Sequence, residues 1–362
     1  MISEFSNTQI KEEMKNEINS LSKAHGVSGF EGDVLDVIKK QIKNYSDDIN
    51  TDTLGNLVAK KNGNGKLKVM ITAHTDEIGL VVKHIDEKGF IWFETVGGVR
   101  PQVLFSRPVI IKTENSYVNG IVNHIKPGRP ESITEVPTIE DFFIDVGAKN
   151  KKEVEEMGIE VGNPVSINYK VLFLGKNKIA GKALDNRACV FMLIQLLKLL
   201  KNDNDIPDIY AVFTSQEEVG CRGAKTSAYN INPDIAIALD LSIANDLPGT
   251  PEHKIISEID KGPVIKVMDL IKRPLIGIIS SPRIVKELKN TAKEANIDYQ
   301  LEVSAAGSTD AATIHLERGG IESVGVCIPA RYVHAYELIS IDDVTKCIEL
   351  LYKYIKKLSA EK

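Results

Sequence analysis

The spacing of apolar residues changes twice along the chain and divides it into three stretches. Over residues 6–45 apolar side chains recur every three or four positions, which predicts two amphipathic helices joined by the glycine-rich turn AHGVSGFEG. The apolar positions are Ile10, Met14, Ile18 and Leu21 in the first helix, and Val34, Val37, Ile38 and Ile42 in the second. The run LKVMITAH that follows predicts a buried strand ending at His74.

Between about residues 77 and 170 the pattern changes to short β-like runs. These runs are FIWFETV, RPVIIKT, YVNGIVNHI, DFFIDV and PVSINYKV, and one short helix is predicted near EVEEM. Gly, Pro and Asn separate the runs, which is typical of turns between short strands. This stretch therefore predicts a small all-β domain inserted into another domain.

Past residue 180 helical and strand patterns alternate. ACVFMLIQLLKLL and PRIVKELKNTAKEANI predict helices, whereas DIYAVFTS, DIAIALDL and SVGVCIP predict buried strands. Such alternation favours an α/β fold with a mostly parallel sheet covered by helices. We therefore expect one domain made of residues 1–76 and 171–362, interrupted by the β domain at 77–170.

Composition and charge narrow the class of protein. The 362 residues carry a formal net charge of −5, and no basic face is built, so nucleic acid is not a predicted partner. No apolar run reaches the roughly 18 residues that span a bilayer, and the polar start MISEFSNTQIKEEMKNEINSL lacks a signal-peptide pattern. The four cysteines (Cys189, Cys221, Cys327 and Cys347) have no C-x-x-C spacing. These features predict a cytoplasmic protein without membrane contact and without structural disulfides.

Acidic residues and histidines follow several predicted strands, where charge is costly to desolvate. They are His74 and Asp76 in ITAHTDEIG, Glu217 and Glu218 in FTSQEEVGCRGA, Asp240 in DIAIALDLS and His334 in IPARYVHAYE, and Asp185 in GKALDNRACVFML stands where a loop enters a helix. Each has an ordinary explanation when taken alone. His74 suits a polar turn, Asp185 is a favoured helix N-cap, and the paired glutamates suit a solvated loop.

The shared position of these residues favours a functional explanation. Ligands of open α/β sheets bind outside the carboxyl ends of the strands, so we expect the side chains to converge there. Two histidines, two aspartates and one glutamate can hold two divalent ions with one aspartate shared, as in two-metal hydrolases. Adjacent residues of an extended segment point in opposite directions, so one of Glu217 and Glu218 can bind a metal while the other carries a proton. His74 and Asp76 share a face, which suits a metal-bound imidazole oriented by a carboxylate.

Seven motifs resemble, in order, those of the tetrahedral (TET-type) aminopeptidases, which are dinuclear-metal exopeptidases of the glutamyl- and deblocking-aminopeptidase family. The motifs are AHTDEIG, GKALDNR, TSQEEVG followed by RGA, ALD, PGTPEH, GSTDA and IPARYVHAYE. The resemblance covers nearly the whole chain. It implies a zinc-exopeptidase-like catalytic domain, a β domain that mediates dimerisation, and dimers assembling into a dodecamer. It also implies removal of N-terminal residues from peptides.

The resemblance further implies a role for each site residue. His74 and Asp240 bind one ion, Glu218 and His334 bind the other, Asp185 bridges them, Glu217 is the general base, and Asp76 orients His74. A cis peptide between Asp185 and Asn186 is implied as well, although many relatives have Asp-Asp where this chain has Asp-Asn. Cys189 and Cys221 also stand where other small or apolar residues are expected. A ligand set of oxygen and nitrogen fits two ions of Zn²⁺ or Co²⁺, with Mn²⁺ also compatible.

The motif GSTDA is a candidate wall of the substrate pocket. Ser308, Thr309 and Asp310 follow a predicted strand and have small neighbours, although an ordinary polar turn explains them equally well. The remaining histidines have no partner pattern and are predicted to be structural. They are His25, His84, His124, His253 and His315.

Two other functions remain possible from the sequence. Some relatives in this family have been labelled endoglucanases, and a glycosidase would use Glu217 and Glu218 as acid and nucleophile. Glycosidases place these carboxyls about 5–9.5 Å apart around one bond, which adjacent residues do poorly, and 6% aromatic residues with one Trp give little sugar platform. The third possibility is a self-assembling binding protein with a dead site. Loss of activity on chelation, with recovery on adding Zn²⁺ or Co²⁺, would exclude the glycosidase.

Overall fold

The computed structural model describes residues 7–125, 137–272 and 275–358. In these ranges, helices pack on a large sheet that lies beside a β-barrel. The α-helices over these ranges are α1 (Asn7–Lys23), α2 (Gly32–Ile42), α3 (Lys151–Glu156), α4 (Leu184–Leu200), α5 (Arg222–Ile231), α6 (Pro282–Glu294), α7 (Ala311–Ile314) and α8 (Ile341–Leu358). The two helices predicted for residues 6–45 are α1 and α2, and both turn their apolar faces inward. Met14 in α1 and Ile38 in α2 are fully buried.

The strands, numbered along the chain, divide between the sheet and the barrel. Within the described ranges the sheet contains β1 (Asp48–Thr51), β2 (Leu57–Lys61), β3 (Lys68–His74), β10 (Leu172–Leu174), β11 (Lys178–Gly181), β12 (Asp208–Thr214), β13 (Ile235–Ile243), β14 (Val264–Lys272), β15 (Leu275–Ile279), β16 (Gln300–Val303), β17 (Glu322–Arg331) and β18 (Glu337–Ser340). The barrel contains β4 (Gly79–Ile85), β5 (Ile91–Val96), β6 (Pro108–Lys112), β7 (Tyr117–His124), β8 (Phe142–Asp145) and β9 (Pro164–Ile167).

The sheet is mixed, so the prediction of a mostly parallel sheet is wrong. Its main order is β1-β2-β12-β3-β13-β17-β18-β11-β10, and β14 joins β17 to β15 and β16. Parallel pairing is concentrated in the centre, between β12, β3, β13 and β17. Strands joined by short turns, such as β1 to β2 and β10 to β11, must pair antiparallel, whereas long helical connections allow the central strands to run parallel.

The centre of the main core is α4, which is buried along most of its length. Every residue from Leu184 to Leu197 is buried, as the continuous apolar run predicts for a helix surrounded by other elements. This helix packs against β3 and β13 on one side and against α1, α2 and α8 on the other. The start of α4 is therefore held firmly at the edge of the sheet.

The barrel has its own hydrophobic core and lies in sequence between β3 and β10. Its strands close in the order β4-β5-β8-β7-β6-β9. Alternation along β7 turns Val122 inward, where it is fully buried, and leaves Ile121 exposed on the outside. The short helix predicted near EVEEM is α3. The closed barrel accounts for the all-β texture of this stretch, while the domain division at residues 76 and 170 stays a prediction.

Two smaller expectations concern the cysteines and the membrane. Cys189, Cys221, Cys327 and Cys347 are all free and buried, so no disulfide is present among them. Among the described residues no helix combines the length and apolar character needed to cross a membrane.

Candidate metal centre

The predicted site residues gather at one edge of the sheet. His74 is the last residue of β3, Glu217 and Glu218 follow β12, and His334 follows β17. These three strands lie with β13 in the parallel order β12-β3-β13-β17. Parallel neighbours end at the same edge of a sheet, and this edge is where open α/β folds bind ligands.

Asp240 lies within β13 rather than after it. The strand continues to Ile243, and Asp240 is paired in register with Cys327 of β17. Its side chain is buried, with 6% exposure for the residue. The sequence pattern placed the strand end too early because the apolar run stops at Leu239. The ladder with β17 continues to Ile243, and the hydroxyl of Ser242 donates a hydrogen bond to Glu302.

Asp185 lies in the first turn of α4 but is not its N-cap. The cap position belongs to Ala183, and the backbone angles of Asp185 and Asn186 are non-helical. The peptide bond between these two residues is cis, as the resemblance implied. The backbone N–H of Asp185 donates to Oε2 of Glu337 at 2.9 Å. The carboxylate of Asp185 lies at the sheet edge, near both histidines.

The two carboxylate oxygens of Asp185 face two different groups of ligand atoms. Oδ1 lies 3.1 Å from Nε2 of His74, and that nitrogen is 3.9 Å from Oδ1 of Asp240. Oδ2 lies 3.7 Å from Nε2 of His334, which is 3.3 Å from Oε2 of Glu218. In each group the ligand atoms lie within 4.8 Å of one another. Asp185 is the residue that both groups share.

The electrostatics of these groups fit a site for cations. Burial raises the pKa of Asp240 well above its ordinary value, and the neighbouring Asp185 adds to this. Burial also raises the pKa of Glu218, against the attraction of His334. Burial would lower the pKa of His334, but Glu218 raises it to about 10. Divalent ions would supply the positive charge that these crowded carboxylates lack, and imidazole with carboxylate donors suits Zn²⁺, Co²⁺ or Mn²⁺.

Asp76 connects His74 to the loop that carries the two glutamates. Its Oδ1 lies 3.5 Å from Nδ1 of His74, and its backbone oxygen lies 3.2 Å from the same nitrogen. Because both neighbours of Nδ1 are acceptors, Nδ1 carries a proton, while Nε2 faces the carboxylates of Asp185 and Asp240. The carboxylate also accepts the backbone N–H groups of Glu217 and Glu218 at 2.9 and 3.0 Å. The sequence suggested only the contact to His74.

Glu217 does not belong to either group that contains a histidine. Its carboxylate lies with Cys221 and Asp310 instead, and the thiol of Cys221 donates to Oε1 of Glu217 at 3.2 Å. Burial raises the pKa of Glu217 well above its ordinary value, with His74 opposing the shift. The two adjacent glutamates therefore occupy different surroundings, although residues 218–220 form a turn and not the extended segment from which the sequence argument started.

Sequence reasoning missed two contributors to the site. Glu337 is buried, and its two oxygens accept the backbone N–H groups of Asp185 and His334. Gly98, in the loop between β5 and β6 of the barrel, lies so close that a Cβ there would be 2.8 Å from Nδ1 of His334. The position of Glu337, three residues after His334, was a weak signal for its role. Nothing in the sequence indicated that Gly98 approaches His334.

A cavity of about 450 Å³ opens beside both ligand groups. Its wall includes Glu217, Glu218, Arg100 from the barrel side, and Ser308. Of the three residues of GSTDA singled out from the sequence, only Ser308 is on this wall. Thr309 and Asp310 are almost fully buried behind it.

None of the five histidines predicted to be structural occurs in a potential metal-binding group of the described residues. His25 is the unusual member, because it is buried and neither ring nitrogen has a hydrogen-bond partner in the part of the chain that the structure describes. Burial lowers its pKa to about 4. A neutral, buried imidazole of this kind is consistent with a structural position.

Fold and site together define a class of protein. A mixed α/β sheet with an inserted barrel carries, at the carboxyl edge of its parallel centre, two histidine–carboxylate groups that share one aspartate. Such an arrangement is a candidate metal centre for hydrolysis.

Comparison with known proteins identifies the family. A family model described as M42 glutamyl aminopeptidase matches residues 55–350. A putative aminopeptidase of Acetivibrio thermocellus is 40% identical over 334 residues, which cover 91% of this chain and 94% of that protein. The chain therefore belongs to the M42 glutamyl aminopeptidase family, and a peptidase function is supported.

Solved structures agree with this assignment. An aminopeptidase from the archaeon Desulfurococcus kamchatkensis has a TM-score of 0.91 and 36% identity, covering 96% of this chain and 95% of that one. The TET1 peptidase of Pyrococcus horikoshii, described as able to assemble into a tetrahedron or a large octahedral shell, has a TM-score of 0.85 and 27% identity. That match covers 94% of this chain and 99% of the other. The resemblance to TET-type aminopeptidases read from the motifs is thus confirmed.

Proposed function

We propose that the protein is a metal-dependent aminopeptidase that removes N-terminal residues from peptides with two divalent ions. His74 and Asp240 would hold one ion, Glu218 and His334 the other, and Asp185 would bridge them. The observation that carries this proposal is the position of Asp185, whose two oxygens face the two histidines separately. Two divalent ions, when bound, lower the pKa of a water molecule toward neutrality and polarise the peptide carbonyl.

Glu217 is the general base in this mechanism. It lines the cavity, lies outside both proposed ligand groups, and has a raised pKa that suits it to accept and return a proton. Glu217 takes a proton from the attacking water and passes it to the amine that leaves. Asp76 contacts the backbone of Glu217 and Glu218 and the ring of His74. These contacts fix the distance between the proposed base, Glu217, and the proposed ligands.

The cavity is proposed to hold the first residue of the peptide. Its wall combines the apolar residues Leu241, Ile243 and Ile271 with a buried ion pair, in which Nζ of Lys266 lies 3.2 Å from Glu302. Ser308 is on the same wall and donates to Asp269 at 3.0 Å. The first side chain of the substrate would meet an apolar surface that ends in this ion pair. Thr309 and Asp310 would support the wall from behind.

The separation of roles is tested with Glu217→Gln. The variant should keep both equivalents of metal and lose activity by a factor of about 10²–10⁴, because positioned proton transfer is typically worth that much. Metal content by elemental analysis and turnover of aminoacyl-chromophore substrates are the two measurements. Glu156→Gln, at a side chain with 63% exposure on α3, is the matched control and should retain both properties. Loss of metal together with activity would contradict the assignment of Glu217 as base.

We also propose that the chain forms a homo-oligomer in which the barrel mediates dimerisation. The support is the shell formed by the solved TET1 relative and the apolar side chains exposed on the barrel and on the sheet edge, among them Ile121 on β7 and Leu275 on β15. A dodecamer and a cytoplasmic location stay predictions. Light scattering should give a mass several times that of one chain, and Ile121→Asp should lower it. A monomeric wild-type protein would refute the proposal.

A further inference from the structure

A third group of potential ligand atoms lies beside the proposed metal ligands. It consists of Glu217, Cys221 and Asp310, and one atom from each lies within 4.8 Å of the others. Three different segments supply them: the loop after β12, the N-terminal cap of α5, and the residue before α7. None of the five proposed ligands belongs to this group.

Cys221 differs from the other cysteines in its surroundings. Its thiol reaches the wall of the cavity, whereas Cys189, Cys327 and Cys347 are fully buried away from that wall. Sγ lies 3.2 Å from Oε1 of Glu217 and 3.5 Å from the backbone oxygen of Thr309. Both contacts are acceptors, so the thiol is held with its sulfur toward the carboxylate. Cys221 also begins α5 in a left-handed conformation with φ of 51°, which fixes its direction.

Asp310 brings a buried carboxylate to the same place. The residue has 3% exposure, and its Oδ2 accepts from the hydroxyl of Thr214 at 2.7 Å. Its Oδ1 is buried and accepts no hydrogen bond of good geometry from the described residues, although the hydroxyl of Thr72 lies close enough to lower the pKa of this carboxyl. Burial raises the pKa of Asp310 to about 6. A buried carboxylate oxygen without a donor is costly unless a proton or a cation satisfies it.

We propose that Glu217, Cys221 and Asp310 form a third cation site, which takes a thiophilic divalent ion such as Zn²⁺ or Cd²⁺ when that ion is in excess. A thiolate with two carboxylate oxygens is a donor set that Zn²⁺ accepts, with a fourth position open to the cavity. At ordinary Zn–S and Zn–O lengths, neighbouring ligand atoms of a tetrahedron lie about 3.6 Å apart. The 3.2 Å between Sγ and Oε1 is close to that separation. Binding displaces the thiol proton to solvent.

The consequence of this third site rests on the proposed function. An ion held there takes the carboxylate of Glu217, which can then no longer accept a proton from water. Excess Zn²⁺ or Cd²⁺ therefore inhibits the enzyme without removing the ions held by His74 and His334. Cys221 would therefore make the protein sensitive to thiophilic metals, because an ion bound to its sulfur also occupies the general base Glu217.

The test is a titration of the Zn²⁺-loaded holoenzyme with Cd²⁺, followed by near-ultraviolet absorption. Thiolate–Cd²⁺ charge transfer reports only on a cysteine ligand, and no proposed ligand of the two main ions is a cysteine. The wild type should show the band, and Cys221→Ser should lose it. Cys347→Ser, in the core, is the matched control and should keep it. Asp310→Asn should keep the band but weaken Cd²⁺ binding by about tenfold or more, because one ligand is lost.

Absence of the band in the wild type, or its persistence in Cys221→Ser, would overturn the third site. Activity gives the separate readout: inhibition by excess Zn²⁺ should need at least about tenfold more metal in Cys221→Ser than in the wild type. A band without inhibition would overturn the link to Glu217 as the base. Peptide cleavage that is absent from every holoenzyme sample would refute the proposed function, while the absorption result would stand by itself.

Discussion

Asp76 shows how one buried carboxylate organises several residues of the site. Its two oxygens are divided: Oδ1 faces His74 and accepts from Glu217, while Oδ2 accepts from Glu218 and from the hydroxyl of Ser28. Burial would raise its pKa, but the hydrogen bond to His74 and these donors lower it, so the carboxylate is ionised. An ionised, fully buried acid with this many donors is a rigid anchor.

Asp76→Asn should weaken metal binding by about 10–100-fold, because the partner of a metal-bound imidazole sets its tautomer and orientation. The amide can replace only one oxygen, and its NH₂ group opposes one of the backbone N–H donors. Metal affinity measured by chelator competition checks this expectation. Asp36→Asn, at an exposed position in α2, serves as the control. Unchanged metal affinity in Asp76→Asn would show that His74 is oriented without the carboxylate of Asp76.

The candidate site residues found from the sequence are those whose type and position along the chain both carried information. His74 and His334 could be found because each is a polar residue directly after an apolar run, and Asp240 because an aspartate interrupts one. Glu337 could not be found in this way, since its role depends on accepting two backbone N–H groups that come together only in the fold. Asp310 was found, but its buried position behind the cavity wall depends on packing against Thr214.

At the scale of elements, the loop with the two glutamates depends on a close approach between α5 and β12. Gly223, in the first turn of α5, donates its N–H to the backbone oxygen of Ser215 at 3.0 Å. A Cβ at Gly223 would lie 2.1 Å from Oδ1 of Asn56 and 2.5 Å from that oxygen of Ser215. Because one of these contacts is backbone, neither rotamer change nor a small shift relieves both.

Gly223→Ala should therefore move α5 away from β12. We expect a loss of about 1–3 kcal/mol in the free energy of unfolding, as for other overpacked positions, together with lower activity because the Glu217 loop moves. Urea unfolding and turnover are the measurements. Gly32→Ala is a matched control in α2, where a Cβ has no described atom within 4 Å and the helix is stabilised by alanine. Equal effects of the two substitutions would refute the close-approach argument.

Whether a segment forms a helix or a strand was easier to predict than which elements lie next to it in the fold. The apolar runs of β3, β12, β13 and β17 marked them as buried strands, and the run of α4 marked a buried helix. Their order in the sheet and the direction of the outer strands depend on which connections are short, and apolar periodicity carries no such information.

At the scale of the whole molecule, the barrel contributes to the site as well as to the overall architecture. The loop after β5 brings Gly98 against His334, and Arg100 donates to the backbone oxygen of Val333 at 3.0 Å. The change in composition after residue 76 predicted an inserted β domain, but not that the strands close into a barrel or that a barrel loop reaches the two candidate ligand groups. Those features follow from long-range packing.

The junction between the barrel and the sheet also buries His25. This residue has 4% exposure, and over residues 7–125, 137–272 and 275–358 neither ring nitrogen has a hydrogen-bond partner. The charged groups that influence it are Glu77, Lys182, Asp33 and, from β6 of the barrel, Lys112. Burial lowers its pKa to about 4, and the attraction of Glu77 only partly offsets this. The folded protein therefore holds His25 neutral where the unfolded chain would protonate it.

The sign of the resulting pH dependence follows from this difference. With a pKa of about 4 when folded and about 6.5 when unfolded, the unfolded state binds more protons between these values, so stability falls as the pH is lowered through that window. The loss between about pH 7 and about pH 4.5 should be about 2–3 kcal/mol. His25→Gln should remove this part of the pH dependence, whatever it does to stability at neutral pH. His84→Gln, at an exposed position of the barrel, should follow the wild type. Urea unfolding at the two pH values measures the difference, and parallel curves for wild type and His25→Gln would show that His25 is not held neutral in the folded protein.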